Sequence, residues 1–219
     1  FYYTFFGTVG AIVFGILSAQ MVNQNFRGRS FIRSTLLFPY VAPVVALAFT
    51  WELLLDPNSG TLNNLLLNYN IIDKPINLLG QKYVSIFVFG FEFKLRLALT
   101  TVIIFEIWRY FPLAFLFILA RLQAVPKELY EAADIDGAGP YTKFINITLP
   151  QITAVISILF MIRFIWNFNK FEDIFLLTGG ASGTRTLPIN VYEQGFSIGD
   201  IGMGSAVSIV IVLLLLFFM

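Results

Sequence analysis

The chain has 219 residues, 58% hydrophobic and only 12% charged, where an ordinary soluble domain carries about a quarter charged residues. That excludes disorder and argues against a water-soluble globule, so the useful ruler is the bilayer, which needs about 20 apolar residues per spanning helix. Having neither cysteine nor histidine, the chain builds no disulfide, thiol nucleophile, imidazole base or His/Cys zinc site, no metal site is expected, and a formal charge of +1 does not suggest a nucleic-acid partner.

Residues 1 to 26 carry no charge and are predicted to hold a spanning helix over 1–22. Gly7, Ala11, Gly15 and Ala19 recur every four residues and give that helix a smooth face for close helix packing. Further spans are predicted at 34–55, 97–120, 150–177 and 201–219, an all-α polytopic bundle with five helices visible. The chain begins with Phe and ends at Met219 without polar flanks. The intact protein is expected to extend beyond both ends, with a sixth helix before Phe1.

Arg27, Arg29 and Arg33 stand in a short loop without acidic neighbours, which places 23–33 in the cytoplasm by the positive-inside rule. Alternation then puts 56–96 and 178–200 outside and 121–149, with Arg121, Lys127 and Lys143, inside. The outer segment also holds Lys74, Lys82, Lys94 and Arg96, so charge density rather than count supports the assignment. Segment 71–96 carries no motif; its apolar run Val84 to Phe91 is too short to span and reads as an interfacial or re-entrant piece.

Pro39 and Pro43 interrupt the second predicted helix and Pro112 the third, each removing a backbone donor. A structural kink and a water-lined cavity are both open readings; Tyr40 and Tyr110 beside the breaks favour the cavity. Glu106 and Arg109 lie three apart, and Arg163, Asn167 and Lys170 follow one helix face with Trp166 alongside. A central Lys, Arg or Asp costs about 2.5–3.5 kcal/mol on translocon scales. A Glu106–Arg109 pair, and Glu172 or Asp173 as partners for Arg163 to Lys170, would offset that; a polar translocation path is the preferred reading.

The most specific segment is cytoplasmic. EAADIDGAGPYTKFINITLP, residues 131–150, has the spacing EAA, three residues, G, nine residues, I, one residue, LP. Pro126 suits the first turn of a short helix, Gly137 and Gly139 suit its end, and Ala132, Ala133, Gly137 and Ala138 leave room for another protein to dock. This stretch resembles the EAA signature of permease subunits of bacterial ATP-binding-cassette (ABC) importers. FPYVAP (38–43), LDPNSGTLNNLL (55–66), IWRYFP (107–112), LQAVPKELYEAADIDGA (122–138), FNKFEDIFLLTGG (168–180) and the run from Thr184 through Tyr192 to Phe196 are similar to the maltose-type carbohydrate permeases.

The resemblance implies a type I ABC importer permease fold over 1–219 as a single transmembrane domain of the bacterial inner membrane, with the coupling loop at 121–149. It implies that Glu131, Ala132, Ala133, Asp136 and Gly137 contact a cytoplasmic ATPase. It implies a sugar site drawing on Tyr40, Arg109, Tyr110, Leu113, Arg163, Trp166, Asn167 and Lys170. This chain departs from the maltose type in having basic Arg109, Arg163 and Lys170, which suit sugar hydroxyls, a phosphorylated or carboxylated substrate, or internal salt bridges. The implied partners are a second permease, two ATPase subunits that bind ATP and Mg, an extracytoplasmic sugar-binding protein and membrane lipid, with no cofactor on this chain. No glycine precedes any lysine, so the core of a Walker A loop is absent and the chain is not the ATPase.

An ion-coupled secondary transporter using Glu106 with Arg109, or Glu52, is the alternative class. An intramembrane enzyme using Glu52, Asp56 or Glu106 ranks below it, because no nucleophile and base stand out.

Overall fold

The computed structural model describes residues 1–24, 26–88 and 91–218. Asn25 of the arginine loop, residues 89 and 90 of the apolar run, and Met219 lie outside the described residues. The uncharged N-terminal stretch forms α1 (Tyr2–Asn23), followed by α2 (Arg29–Val41), α3 (Val44–Leu55) and α4 (Thr61–Asn68). An antiparallel hairpin of β1 (Val84–Val88) and β2 (Phe91–Leu95) precedes α5 (Leu97–Gln123), α6 (Lys127–Ile135) and α7 (Pro140–Lys143). A π-helical turn, Phe144–Thr148, leads into α8 (Leu149–Phe168); α9 (Glu172–Thr178), α10 (Leu187–Tyr192), a second π-helical turn at Glu193–Ile198 and α11 (Ile201–Phe218) complete the order.

Among the described residues, Tyr2–Asn23, Leu97–Gln123, Pro140–Phe168 and Ile201–Phe218 are long and apolar enough to cross a bilayer, and the broken pair α2 and α3 makes a fifth candidate. The expected single helix 34–55 is therefore two. Pro43 lacks an N–H and disfavours helical geometry at Ala42, so the chain leaves the helix after Val41 and restarts with Pro43 extended at the N-cap (φ −59°, ψ 130°). The expected span 150–177 is corrected at both ends. It begins at Pro140 and stops at Phe168, and α9 is separate. Pro150 is absorbed because the preceding turn is widened, with the Leu149 N–H bonded to the Phe144 carbonyl five residues back. α2 and α5 each run through their internal prolines, Pro39 and Pro112.

The segment expected as an interfacial or re-entrant piece is the β1–β2 hairpin, in the register Val84 to Leu95 through Val88 to Phe91. It departs from the all-helical expectation. Two local chain ties hold it to the start of α5, from the Leu97 N–H to the Lys82 carbonyl and from the Ala98 N–H to the Gln81 carbonyl, both 3.1 Å.

The backbone groups into two compact units. The first comprises Phe1–Thr4, Ala42–Glu106 and Ile165–Met219, the second Phe5–Val41 and Ile107–Phe164. In the first, α3 packs with α4 and α9, and α10 with α11. The second unit has its core among α1, α5 and α8, where Ile12, Ala19, Phe115, Ile118 and Ile152 are buried together. All members of the small-residue face, Gly7, Ala11, Gly15 and Ala19, are buried. A Cβ on Gly15 would lie 2.6 Å from the Ala114 Cβ and 2.9 Å from the Phe115 nitrogen, so only glycine permits this approach of α1 to the α5 backbone.

Candidate functional site

The EAA segment is a short helix that buries none of its own side chains. Pro126 is its N-cap rather than its first helical residue. Its end follows from Gly137: at φ +72° this residue takes the left-handed conformation that glycine accepts without penalty. The Gly137 N–H then reaches the Asp134 carbonyl at 3.1 Å and the Ala138 N–H the Ala133 carbonyl at 2.8 Å, the paired bonds of a Schellman motif. The motif thus encodes a helix of fixed length and a fixed exit.

Side-chain ties hold α6 at its edges. The hydroxyls of Tyr130 and Thr148 lie 3.0 Å apart, and Lys143 forms an ion pair with Asp134. Arg121 in α5 donates to the Gln151 carbonyl at 2.9 Å and to its side-chain oxygen at 2.6 Å. What remains is an exposed tip: Ile135 is 88% exposed and Tyr141 78%. Glu131, Ala132, Asp136 and Gly137 are exposed and Ala133 half-buried, with open space around a Cβ placed on Gly137. Ile135 and Tyr141 thus stand apolar and unshielded on an anchored tip.

Within the second unit, the structure gathers part of the predicted substrate set. Tyr110 is the centre: the Arg109 guanidinium carbon lies 4.8 Å from its ring centroid and that of Arg163 4.3 Å. Arg109 also donates to the Tyr110 hydroxyl at 2.7 Å. Tyr40 meets Tyr110 edge to face, centroids 6.1 Å apart. Arg163 is 1% exposed, the largest of the fully buried side chains, while Tyr40 stays open on one side and Leu113 is half-buried. Both guanidinium groups thus lie within cation–π distance of one aromatic ring.

The first unit holds the rest. Asn167 is buried and lines a cavity of about 410 Å³ together with Tyr3, Arg96, Thr184, Thr186 and Asn190. Lys170 forms a salt bridge with the fully buried Asp173 at 3.5 Å, so of the expected acidic partners Asp173 is the one it meets. Trp166 is 52% exposed. Glu106 is fully buried and accepts a hydrogen bond from the Tyr3 hydroxyl at 3.2 Å. Arg96, Thr184 and Asn190 escaped the sequence reading: they come from the 71–96 segment and the late run, and no local spacing joins them.

Residues 11–219 match the family described as binding-protein-dependent transport system inner membrane component. The chain belongs to that family. It is 34% identical over 214 residues to the inner membrane ABC transporter permease protein YcjO of Escherichia coli (strain K12), covering 98% of this chain and 68% of that protein. It is 33% identical over 207 residues to the trehalose/maltose transport system permease protein MalF of Thermococcus litoralis (94% and 65%). With the sn-glycerol-3-phosphate transport system permease protein UgpA of Yersinia pestis bv. Antiqua (strain Antiqua) it shares 34% over 212 residues (95% and 66%). The chain thus spans about two thirds of the length of these relatives.

The fold agrees. A crystal structure of a bacterial ABC transporter involved in import of the acidic polysaccharide alginate superposes with a TM-score of 0.78 at 22% identity, over 98% of this chain and 74% of that one. The same type of transporter in complex with alginate pentasaccharide-bound periplasmic protein gives 0.79 at 23%, over 99% and 75%. The architecture is that of an ABC importer permease, a multi-pass inner-membrane protein, and the family is one of transport rather than of enzymes.

Proposed function

We propose that this chain is the membrane-spanning subunit of an importer that moves a sugar, delivered by an extracytoplasmic binding protein, by alternating access. A second permease completes the pathway, and two partner ATPases bind ATP and Mg and hydrolyse the nucleotide. The observation that carries this reading is the α6 tip. It is a short helix with a glycine-defined end, held at its edges and apolar at its apex, on a chain that belongs to a transport family and lacks a nucleotide loop of its own. Glu131, Ala132, Ala133, Asp136 and Gly137 form the ATPase contact.

In the second unit Tyr40, Arg109, Tyr110, Leu113 and Arg163 face the sugar; in the first, Trp166, Asn167 and Lys170 do, Asn167 through its amide and Trp166 through its ring. The relatives support a carbohydrate or polyol cargo, since they are named for trehalose and maltose and for sn-glycerol 3-phosphate.

The test is made on the whole reconstituted complex. Gly137→Asp, and Ile135→Glu at an already exposed position, should each lower uptake and substrate-stimulated ATP hydrolysis at least about tenfold, a loss of about 1.4 kcal/mol of coupling, with membrane insertion unchanged. Normal coupling in both variants would show that α6 is not the ATPase contact. Asn167→Ala should weaken uptake while complex assembly and the binding protein's own sugar affinity stay as they were. Uptake at the unsubstituted rate would remove Asn167 from the path.

A further inference from the structure

The 71–96 segment and the loop after α9 build a second pocket, of about 220 Å³, in which only Arg185 belongs to a sequence motif. Its lining is Lys82, Tyr83, Arg96, Ser182, Gly183 and Arg185. All of these belong to the first unit, and three of them are cations.

The pocket is a built feature. Lys82 and Arg96 are brought together by the backbone bond from Leu97 to the Lys82 carbonyl. The opposite wall is fastened by the Ser182 hydroxyl, which donates to the Gly80 carbonyl at 2.8 Å across 102 positions of sequence. Gly183, at φ +82°, lies so close that a Cβ there would come within 3.0 Å of the Lys82 Cγ. Wall and cation are therefore in contact, and the glycine is what permits it.

The charges are out of balance. Arg185 is paired with Glu193 and donates to the Asn190 side-chain oxygen at 3.2 Å. Lys82 has the Tyr83 ring, 5.3 Å from its ammonium nitrogen. Among the described residues Arg96 has no hydrogen bond or ion pair. One carboxylate thus stands against three cations, two of which have no acid partner among the described residues.

Arg96, Gly183 and Arg185 also line the 410 Å³ cavity that holds Asn167. Beyond the cations that cavity is mixed, with the hydroxyls and amides of Tyr3, Thr184, Thr186, Asn190 and Asn167 set among the apolar Phe1, Leu99, Phe168 and Leu187. The Thr186 Oγ1 is buried and has no hydrogen-bond partner among the described residues. Its size lies within the usual range of small-molecule sites, about 300–1,000 Å³. A cationic mouth leading to neutral hydrogen-bonding groups matches a ligand with a negatively charged group and several hydroxyls.

Resting on the import reading above, we infer that Lys82, Arg96 and Arg185 form a selectivity site for an anionic carbohydrate, a sugar or polyol bearing a carboxylate or phosphate. The anionic group meets the basic pocket while the hydroxyls engage the Asn167 cavity. The site gives the hairpin segment a role: it carries Lys82 into position beside Arg96.

The chain has no cysteine, so Ser182→Cys places a unique thiol of this chain in the pocket wall. In the assembled complex, its labelling by an impermeant maleimide is followed with glucose 6-phosphate against glucose, and with digalacturonate against maltose. The anionic member of at least one pair should slow labelling by about tenfold, and its neutral counterpart should not. Protection should fall with added salt, since the pocket is water-accessible and the Debye length shrinks from about 10 Å at 0.1 M to 3 Å at 1 M. It should disappear in Lys82→Gln/Arg96→Gln.

Equal protection by the neutral sugar, no protection by either anion, or protection that survives the double substitution overturns the inference. Protection by inorganic phosphate equal to that by glucose 6-phosphate overturns its carbohydrate part. Loss of binding-protein association in Lys82→Gln/Arg96→Gln, with no anion protection in the parent, would make the patch a protein contact instead. Failure of the import reading is visible separately, as absence of ATP-dependent uptake by the reconstituted complex with its binding protein.

Discussion

The α6 tip and the basic pocket each carry a glycine in the left-handed conformation, yet they are built on different scales. The EAA segment is local: its helix, its glycine exit and its tie between Tyr130 and Thr148 all fall within a short run of sequence. The basic pocket is assembled from Lys82, Arg96 and Arg185, and its walls are joined by a hydrogen bond spanning 102 positions. A local device can leave a fixed spacing in the sequence. A device made by tertiary closure cannot.

The sharpest way to break the comparison is sidedness, for which an all-or-none result is expected. The arginine loop and alternation predict 178–200 outside and 121–149 inside. Ser182→Cys should react with an impermeant thiol reagent on intact spheroplasts. Ile135→Cys, at a position 88% exposed, should react only after lysis. Reversed labelling would invert the topology, and labelling of both from outside would end the idea that the two regions serve opposite faces.

The same contrast explains what could be read in advance. The long uncharged stretch of α1, the small-residue face that packs on α5, and the EAA helix with its terminal glycine were legible, because period and composition determine each of them. The break at Ala42 and Pro43 was legible as a disturbance but not as a full interruption. Whether a proline kinks or ends a helix depends on what packs around it: α5 continues through Pro112, and α8 starts beside Pro150 on a widened turn. The hairpin was illegible. Its apolar run is short enough for several structures, and its pairing depends on ties to the start of α5. Of the proposed substrate residues, Arg163 and Asn167 were visible as spacing along α8, but the expected continuation of that face to Lys170 fails because the helix ends at Phe168. The stacking of Arg109 and Arg163 on one Tyr110 ring was not visible, since it joins two helices.

A smaller effect sharpens the difference between the two glycines. Any L-residue in the left-handed conformation costs about 1–2 kcal/mol, so Gly137→Ala and Gly183→Ala start from the same penalty. At Gly137 a new Cβ meets open space; at Gly183 it meets the Lys82 Cγ at 3.0 Å and Cε at 3.1 Å. Gly183→Ala should therefore push Lys82 aside, disturb the pocket wall and raise the labelling rate of Ser182→Cys severalfold. Gly137→Ala should leave the labelling of Ile135→Cys unchanged, because that side chain is already exposed. Equal responses at the two sites would mean that the pocket wall is no more tightly built than the α6 tip.

The smallest expected effect tests whether a second local motif behaves like the EAA turn. Asp56 follows α3, and its Oδ1 accepts from the Ser59 N–H at 2.7 Å, the Asn58 N–H at 2.9 Å and the Ser59 hydroxyl at 2.9 Å. The Ser59 backbone bond first, then its hydroxyl and the Asn58 N–H, hold the carboxyl below its ordinary range, against a slight opposing effect of desolvation. A carboxylate whose value is lowered by folding favours the folded turn fully above the unfolded value, about 3.9, and that contribution is lost as pH falls through the lowered folded value. The turn at 56–60 should therefore hold firm at pH 5 and loosen below about pH 4, read as faster cleavage there by an acid-active protease. Asp56→Asn keeps an acceptor but removes the titrating charge, so its cleavage should vary less over the same window. If both chains loosen in parallel on acidification, the turn is held by its backbone and by the neighbouring Asn63, whose side chain bonds to the Ile76 main chain at 2.9 and 3.0 Å, and the Asp56 charge has no part in it.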